Sequence, residues 1–139
     1  MRVASVGESQ PAPPPEHCAD YPNMETGAGH PTNQDWFNHL DAAGYARVRM
    51  ACVYLWDGAQ YEALDRIVMA ESRWNHFAYN PTSSAYGVPQ ACPGSKMSTA
   101  GADWRTNPRT QVRWMLQYVR DRYGTPENAA YHRFHYGMY

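Results

Sequence analysis

No stretch of this sequence is long and apolar enough to cross a membrane. A helical span needs about 20 consecutive apolar residues, and polar, Gly or Pro positions interrupt every run here. An excess of charge is missing too. Lys and Arg total 12 against 13 for Asp and Glu, a net charge of -1, so nothing suggests the basic footprint of a nucleic-acid binder and no nucleic-acid partner is expected. Cysteine is scarce, with Cys18, Cys52 and Cys92 alone, and an odd count cannot form a closed disulfide framework. The one bridge considered is Cys52–Cys92, with Cys18 left in a Pro-rich segment. There is no CxxC and no HExxH pattern. His132 and His135, three residues apart, could share a metal with His76, but nothing in the pattern supports it, so neither a metal nor a cofactor is expected. The first 15 residues lack the apolar run of a signal peptide. Export is therefore expected by another route: within a virus particle, by lysis, or after loss of a leader.

What is abundant is aromatic surface. Phe, Trp and Tyr make up 14% of the chain, a composition that suits flat amphipathic ligands such as sugars, or simply a small core built from large side chains. The 139 residues suffice for one hydrophobic core. Residues 1–31, with Pro11, Pro13, Pro14, Pro15, Pro22 and Pro31 and few aliphatics, read as an extended arm or linker. If the arm instead packs on a domain, Tyr21 and Met24 are its anchors. The folded domain is expected over residues 32–139.

Helical signals begin near Thr32 and Asn33, with Trp36, Phe37 and Leu40 on one face and Gly44 as the breaker. A second helix presents Tyr45, Val48, Met50, Cys52 and Leu55, and Trp56-Asp57-Gly58 reads as the turn that ends it. The third, about 59–73, has the clearest stripe. Leu64, Ile67, Val68 and Glu71 follow i, i+3, i+4, i+7, while Glu62, Asp65 and Arg66 lie mostly off that face. From 75 to 107 the chain is rich in Gly, Pro, Ser, Thr and Asn, with short strands expected around 85–90; a loop this long is functional or disordered. Asn107-Pro108 opens a fourth helix with the stripe Val112, Met115, Leu116 and Val119, closed by Gly124. Thr125-Pro126 opens a last one, to about His135.

Glu71 carries the chemistry. Cleaving a glycosidic bond near neutral pH requires a carboxylic acid that still holds its proton. An apolar stripe disfavours the charged form, and so does the negative end of a helix dipole; Glu71 is subject to both. The competing reading is a Glu that pairs with Arg73 or Arg113 and merely closes the helix end. Asp103, the only other carboxylate between 75 and 107, is assigned to a cap or turn.

The segments Glu71-Ser72-Arg73-Trp74-Asn75 and Asn80 to Gln90, ending in Tyr86-Gly87-Val88-Pro89-Gln90, resemble the SLT-like lytic transglycosylases of the goose-lysozyme-like superfamily. The neighbouring Pro93-Gly94-Ser95-Lys96-Met97 and Ala100 to Pro108 resemble the branch found in actinobacteria and their phages. The resemblance covers about residues 56–139. It implies an α+β, mostly helical, lysozyme-like domain with a substrate groove. It also implies that Glu71 is the general acid and then the general base, that Ser72 steadies the carboxylate or contacts sugar, that Tyr86 and Gly87 shape the sugar floor, and that Gln90 hydrogen-bonds substrate. Tyr131 takes the place of a tyrosine that reaches the catalytic Glu, with His132 where the family has Asn, and Tyr136-Gly137-Met138-Tyr139 stands where related chains end Asn-Gly-Trp-Tyr.

The implied activity is cleavage of the bond between N-acetylmuramic acid and N-acetylglucosamine in peptidoglycan, with formation of a 1,6-anhydro ring. The alternatives are a hydrolytic muramidase on the same fold and an inactive wall-binding or virion module. The expected partner is the glycan strand, in an extracellular or cell-wall setting. A phage tail or other virion partner, held by the arm, suits such a chain, and so does a piece of a larger secreted protein.

Overall fold

The computed structural model describes residues 15–139, so the first fourteen of the arm lie outside the described residues. It is mostly helical, with one two-stranded antiparallel sheet. The chain divides into two compact units after Gly58.

In the first unit, α1 (Pro15–Ala19) and α2 (Tyr21–Thr26) occupy the segment expected to be an extended arm. The reason lies in Asp20. Its carboxylate accepts from the backbone N–H of His30 (2.8 Å) and from Asn33 (3.1 Å), folding the Gly-rich link back on itself. Tyr21 and Met24, the anchors the sequence offers, are buried. Next come α3 (Pro31–Asn38) and α4 (Ala42–Val53). Gly44 breaks nothing: the Asp41 side chain caps α4 by accepting from the Gly44 N–H at 2.7 Å, so the glycine lies in the first turn. Leu55, expected as a contact, is 84% exposed, since the chain has already left the helix with a left-handed backbone at that residue. Phe37 stands edge-on to both Tyr21 and Tyr45, with centroids 5.9 and 5.7 Å away. Cys18 pairs with Cys52, Cα to Cα 5.0 Å, which corrects the Cys52–Cys92 pairing; Cys92 is free and exposed.

The second unit holds all but the first residue of α5 (Gly58–Glu71), the hairpin β1 (Tyr79–Asn80) and β2 (Ala85–Tyr86), a 3-10 helix (Gly94–Thr99), α6 (Pro108–Tyr123) and α7 (Pro126–Tyr136). Tyr79 faces Tyr86 and Asn80 faces Ala85 in the hairpin. The four apolar stripe residues of α6 are buried, as their spacing predicts, and α6 packs on α7 and the 3-10 helix. Asn107 and Thr125 cap α6 and α7 from their side chains. A reciprocal pair of bonds between Gln60 and Glu127 (2.6 and 3.0 Å) joins the starts of α5 and α7.

Candidate functional site

Glu71 is the last residue of α5, and the turn immediately after the helix fixes its position. Arg73 and Trp74 both take a left-handed backbone, φ 55° and 64°, a conformation that costs on the order of 1–3 kcal/mol per residue. It swings the Trp74 indole back beneath the helix, where its N–H donates to Asp65 at 2.8 Å. Asp65 is therefore fully buried rather than off the stripe. Tyr61 stacks on the same indole, centroids 6.5 Å apart.

The hydroxyl of Ser72 donates to the Val88 carbonyl at 2.7 Å, so its single proton is committed to the loop and not to Glu71. That bond brings the Glu71-Ser72 segment against the Tyr86-to-Gln90 turn. The turn closes between paired Tyr86 and Ala91 backbones (3.0 and 3.1 Å). Gly87 has φ 79°, and a Cβ there would lie 2.5 Å from the Gln111 amide oxygen, so only glycine fits. Tyr86 donates its hydroxyl to the Arg105 carbonyl (2.6 Å) and meets Trp104 edge to face. Gln90 gives both amide protons to backbone, to Ala78 and Gly87 carbonyls at 3.1 Å each, leaving its oxygen as the group available to a ligand.

Sequence reasoning missed three residues here. Gln111, buried on α6, accepts from the Val88 N–H (2.8 Å) and donates to the His76 and Trp104 carbonyls (3.0 and 2.8 Å), tying three loop segments together. Its signal was legible, because an amide four residues before Met115 shares the buried face. Arg133 on α7 places its Nε 2.8 Å from the Glu71 carboxylate, with both side chains about one-fifth exposed (23% and 21%). The carboxylate expected to end an apolar stripe thus meets a guanidinium, supplied neither by Arg73 nor by Arg113. Tyr139 donates to the Pro89 carbonyl at 2.7 Å, and burial, then the Glu71 charge beside it, push its phenol well above the ordinary range. No periodicity marks it, since it lies beyond the end of α7.

Tyr131, in contrast, is 56% exposed and stacks on His135. Two residues along a helix are about 200° apart, so Tyr131 faces away from the side on which Arg133 reaches Glu71. Asp103 accepts from the side chains of Thr110 (2.6 Å) and Asn107 (2.8 Å), bonds that hold its carboxyl below the ordinary range, and its backbone carbonyl closes a turn by accepting from the Thr106 and Asn107 N–H groups; Asn107 itself is the cap of α6. His132 and His135 each engage a backbone carbonyl, of Met138 and Tyr131, and among the described residues no group of three His, Cys, Asp or Glu is placed to hold a metal.

Beside Tyr139 lies a depression of about 190 Å³, lined by Pro89, Gln90, Cys92, Lys96, Trp114 and Tyr118 among others. The chain matches no protein-family model, no curated protein and no solved structure.

Proposed function

We propose that the second unit is a lysozyme-like domain that cleaves peptidoglycan as a lytic transglycosylase, with Glu71 as its single acid/base. The observation that carries this reading is the convergence of two segments distant in sequence. The Ser72–Val88 bond sets the end of α5 against the turn that precedes Gln90, beside an aromatic-lined depression. These are the two segments on which the resemblance to SLT-like transglycosylases rests.

In this reading Glu71 protonates the oxygen leaving the muramic acid. It then takes the proton of the sugar's own 6-hydroxyl, which attacks the anomeric carbon and closes the 1,6-anhydro ring. An internal nucleophile has a high effective concentration, so one carboxylate serves both half-reactions. A hydrolase would need a second carboxylate, and Asp103 is committed to Thr110 and Asn107. The Arg133 contact joins two charged groups, so donation begins from a state in which Arg133 has moved off Glu71. The same contact favours a second reading, a glycan-binding module in which Glu71 is only half of an ion pair. The Cys18–Cys52 disulfide suits an oxidising, extracytoplasmic setting such as the cell wall or a virion.

Digestion of purified peptidoglycan decides the matter. Fragments ending in 1,6-anhydro-muramic acid are expected by mass spectrometry, one water lighter than hydrolysed ends, and absent with Glu71→Gln. Reducible ends would make the protein a muramidase. No fragments, with the glycan retained, would make it a binding module.

A further inference from the structure

The depression beside Tyr139 has a chemistry of its own. Trp114 and Tyr118 are stacked, centroids 5.0 Å apart and 16° from parallel, and Tyr139 stands edge-on to Tyr118 at 5.9 Å. Such a surface takes the C–H face of a pyranose, and about 190 Å³ leaves room for one ring rather than two. Gln90 offers an acceptor for a hydroxyl or N-acetyl N–H, its own protons being committed. At the same depression stands Lys96, the only lysine in the sequence. Among the described residues no carboxylate forms an ion pair with it. A neutral sugar gives an ammonium group nothing to neutralise it. A sugar that carries a carboxylate does.

We propose that this depression is a subsite for a saccharide ring bearing a carboxylate, with Lys96 as the group that reads the charge. The inference rests on the glycan-cleaving reading and sharpens its substrate class. In peptidoglycan the carboxylate has two sources: the lactyl group of muramic acid once the peptide stem has been removed, and the stem peptide itself.

The test measures binding by the full chain carrying Glu71→Gln, so that nothing is cut. The probes are denuded glycan strands, stem-bearing glycan strands and a chitin oligosaccharide of equal length, which has no carboxylate. At low salt at least one carboxylate-bearing strand should bind about tenfold tighter than chitin, in keeping with a charge-assisted contact, and added salt should narrow the gap. The tighter of the two identifies the source. Adding Lys96→Gln should equalise all three probes, and Lys96→Arg should restore the preference. The preferred strand should also shield Lys96 from amine acylation, read on its own peptide by mass spectrometry. Equal binding of all three probes overturns the proposal. So does discrimination that survives Lys96→Gln, or full labelling of Lys96 in the saturated complex. A chain that discriminates by charge yet never cuts glycan, with Glu71 restored, would break the cleavage reading and leave the subsite standing.

Discussion

Among the described residues, each unit of the molecule shows a carboxylate clasped by an arginine, and the two pairs look alike. Glu25 meets Arg49 and Glu71 meets Arg133, both at 2.8 Å, with every side chain between 20% and 23% exposed. What differs is the rest of the shell. The same oxygen of Glu25 also accepts from the hydroxyls of Tyr21 and Tyr45, the latter at 2.6 Å, and Arg49 reaches Tyr21 as well. Glu71 has Arg133, and the hydroxyl of its neighbouring tyrosine, Tyr139, is turned to Pro89 instead. A carboxylate held by three donors from α2 and α4 is structural, because moving any donor strands the others. One held by a single donor can be released. An ion pair therefore says little about function until its remaining hydrogen bonds are counted.

The sharpest way to break this comparison is to neutralise each acid in turn. Glu71→Gln should cut glycan cleavage on the order of a hundredfold or more while costing less stability than the same change at Glu25, because it strands one donor rather than three. Glu25→Gln should do the reverse, costing about 2 kcal/mol in urea unfolding, as charge-assisted bonds to buried donors are lost, with turnover per folded molecule unchanged. Loss of cleavage in both would mean that Glu25 contributes to more than its own unit.

The arginines give a smaller contrast. Arg133→Gln should raise turnover severalfold if the clasp belongs to the resting state, and Arg49→Gln should leave turnover alone while costing about 1 kcal/mol of stability. A slower Arg133→Gln enzyme would instead make Arg133 part of the chemistry.

The smallest effect lies at alkaline pH. Burial is the first cause that pushes the phenols of Tyr21 and Tyr139 upward, and the nearby carboxylate adds to it in each case. A folded-state value above the unfolded one, about 10 for tyrosine, contributes stability that is fully present below that pH and fades as pH rises toward the folded value. Phenolate absorbance from Tyr21 and Tyr139 should therefore be absent near pH 10 and appear only at higher pH or on unfolding. Titration of every tyrosine in one step would remove the distinction.

The sequence predicts the parts of the second unit that obey helical periodicity. The α5 and α6 stripes, the Asn107 and Thr125 caps and the place of Glu71 at a helix end all come from spacing and capping chemistry. What escapes is whatever depends on contact at a distance. Nothing local in Arg133 says that it meets a residue 62 positions earlier, and nothing in Asp65 announces an indole nine residues on that makes burial tolerable. The two short helices before residue 31 were hidden for a related reason. Their composition is that of a linker, and they fold because Asp20 and the Cys18–Cys52 bridge gather them.

That bridge also changes what a break in the backbone would mean. Cys18 and Cys52 lie 34 residues apart and close the intervening chain into a covalent ring that contains α2, α3 and most of α4. A protease that nicks the ring once opens a loop without releasing a fragment. The nicked chain would run as one band on a gel until a reductant is added, and then as two. The first unit can thus survive a cut in the Gly-rich link between α2 and α3 with its helices still tethered.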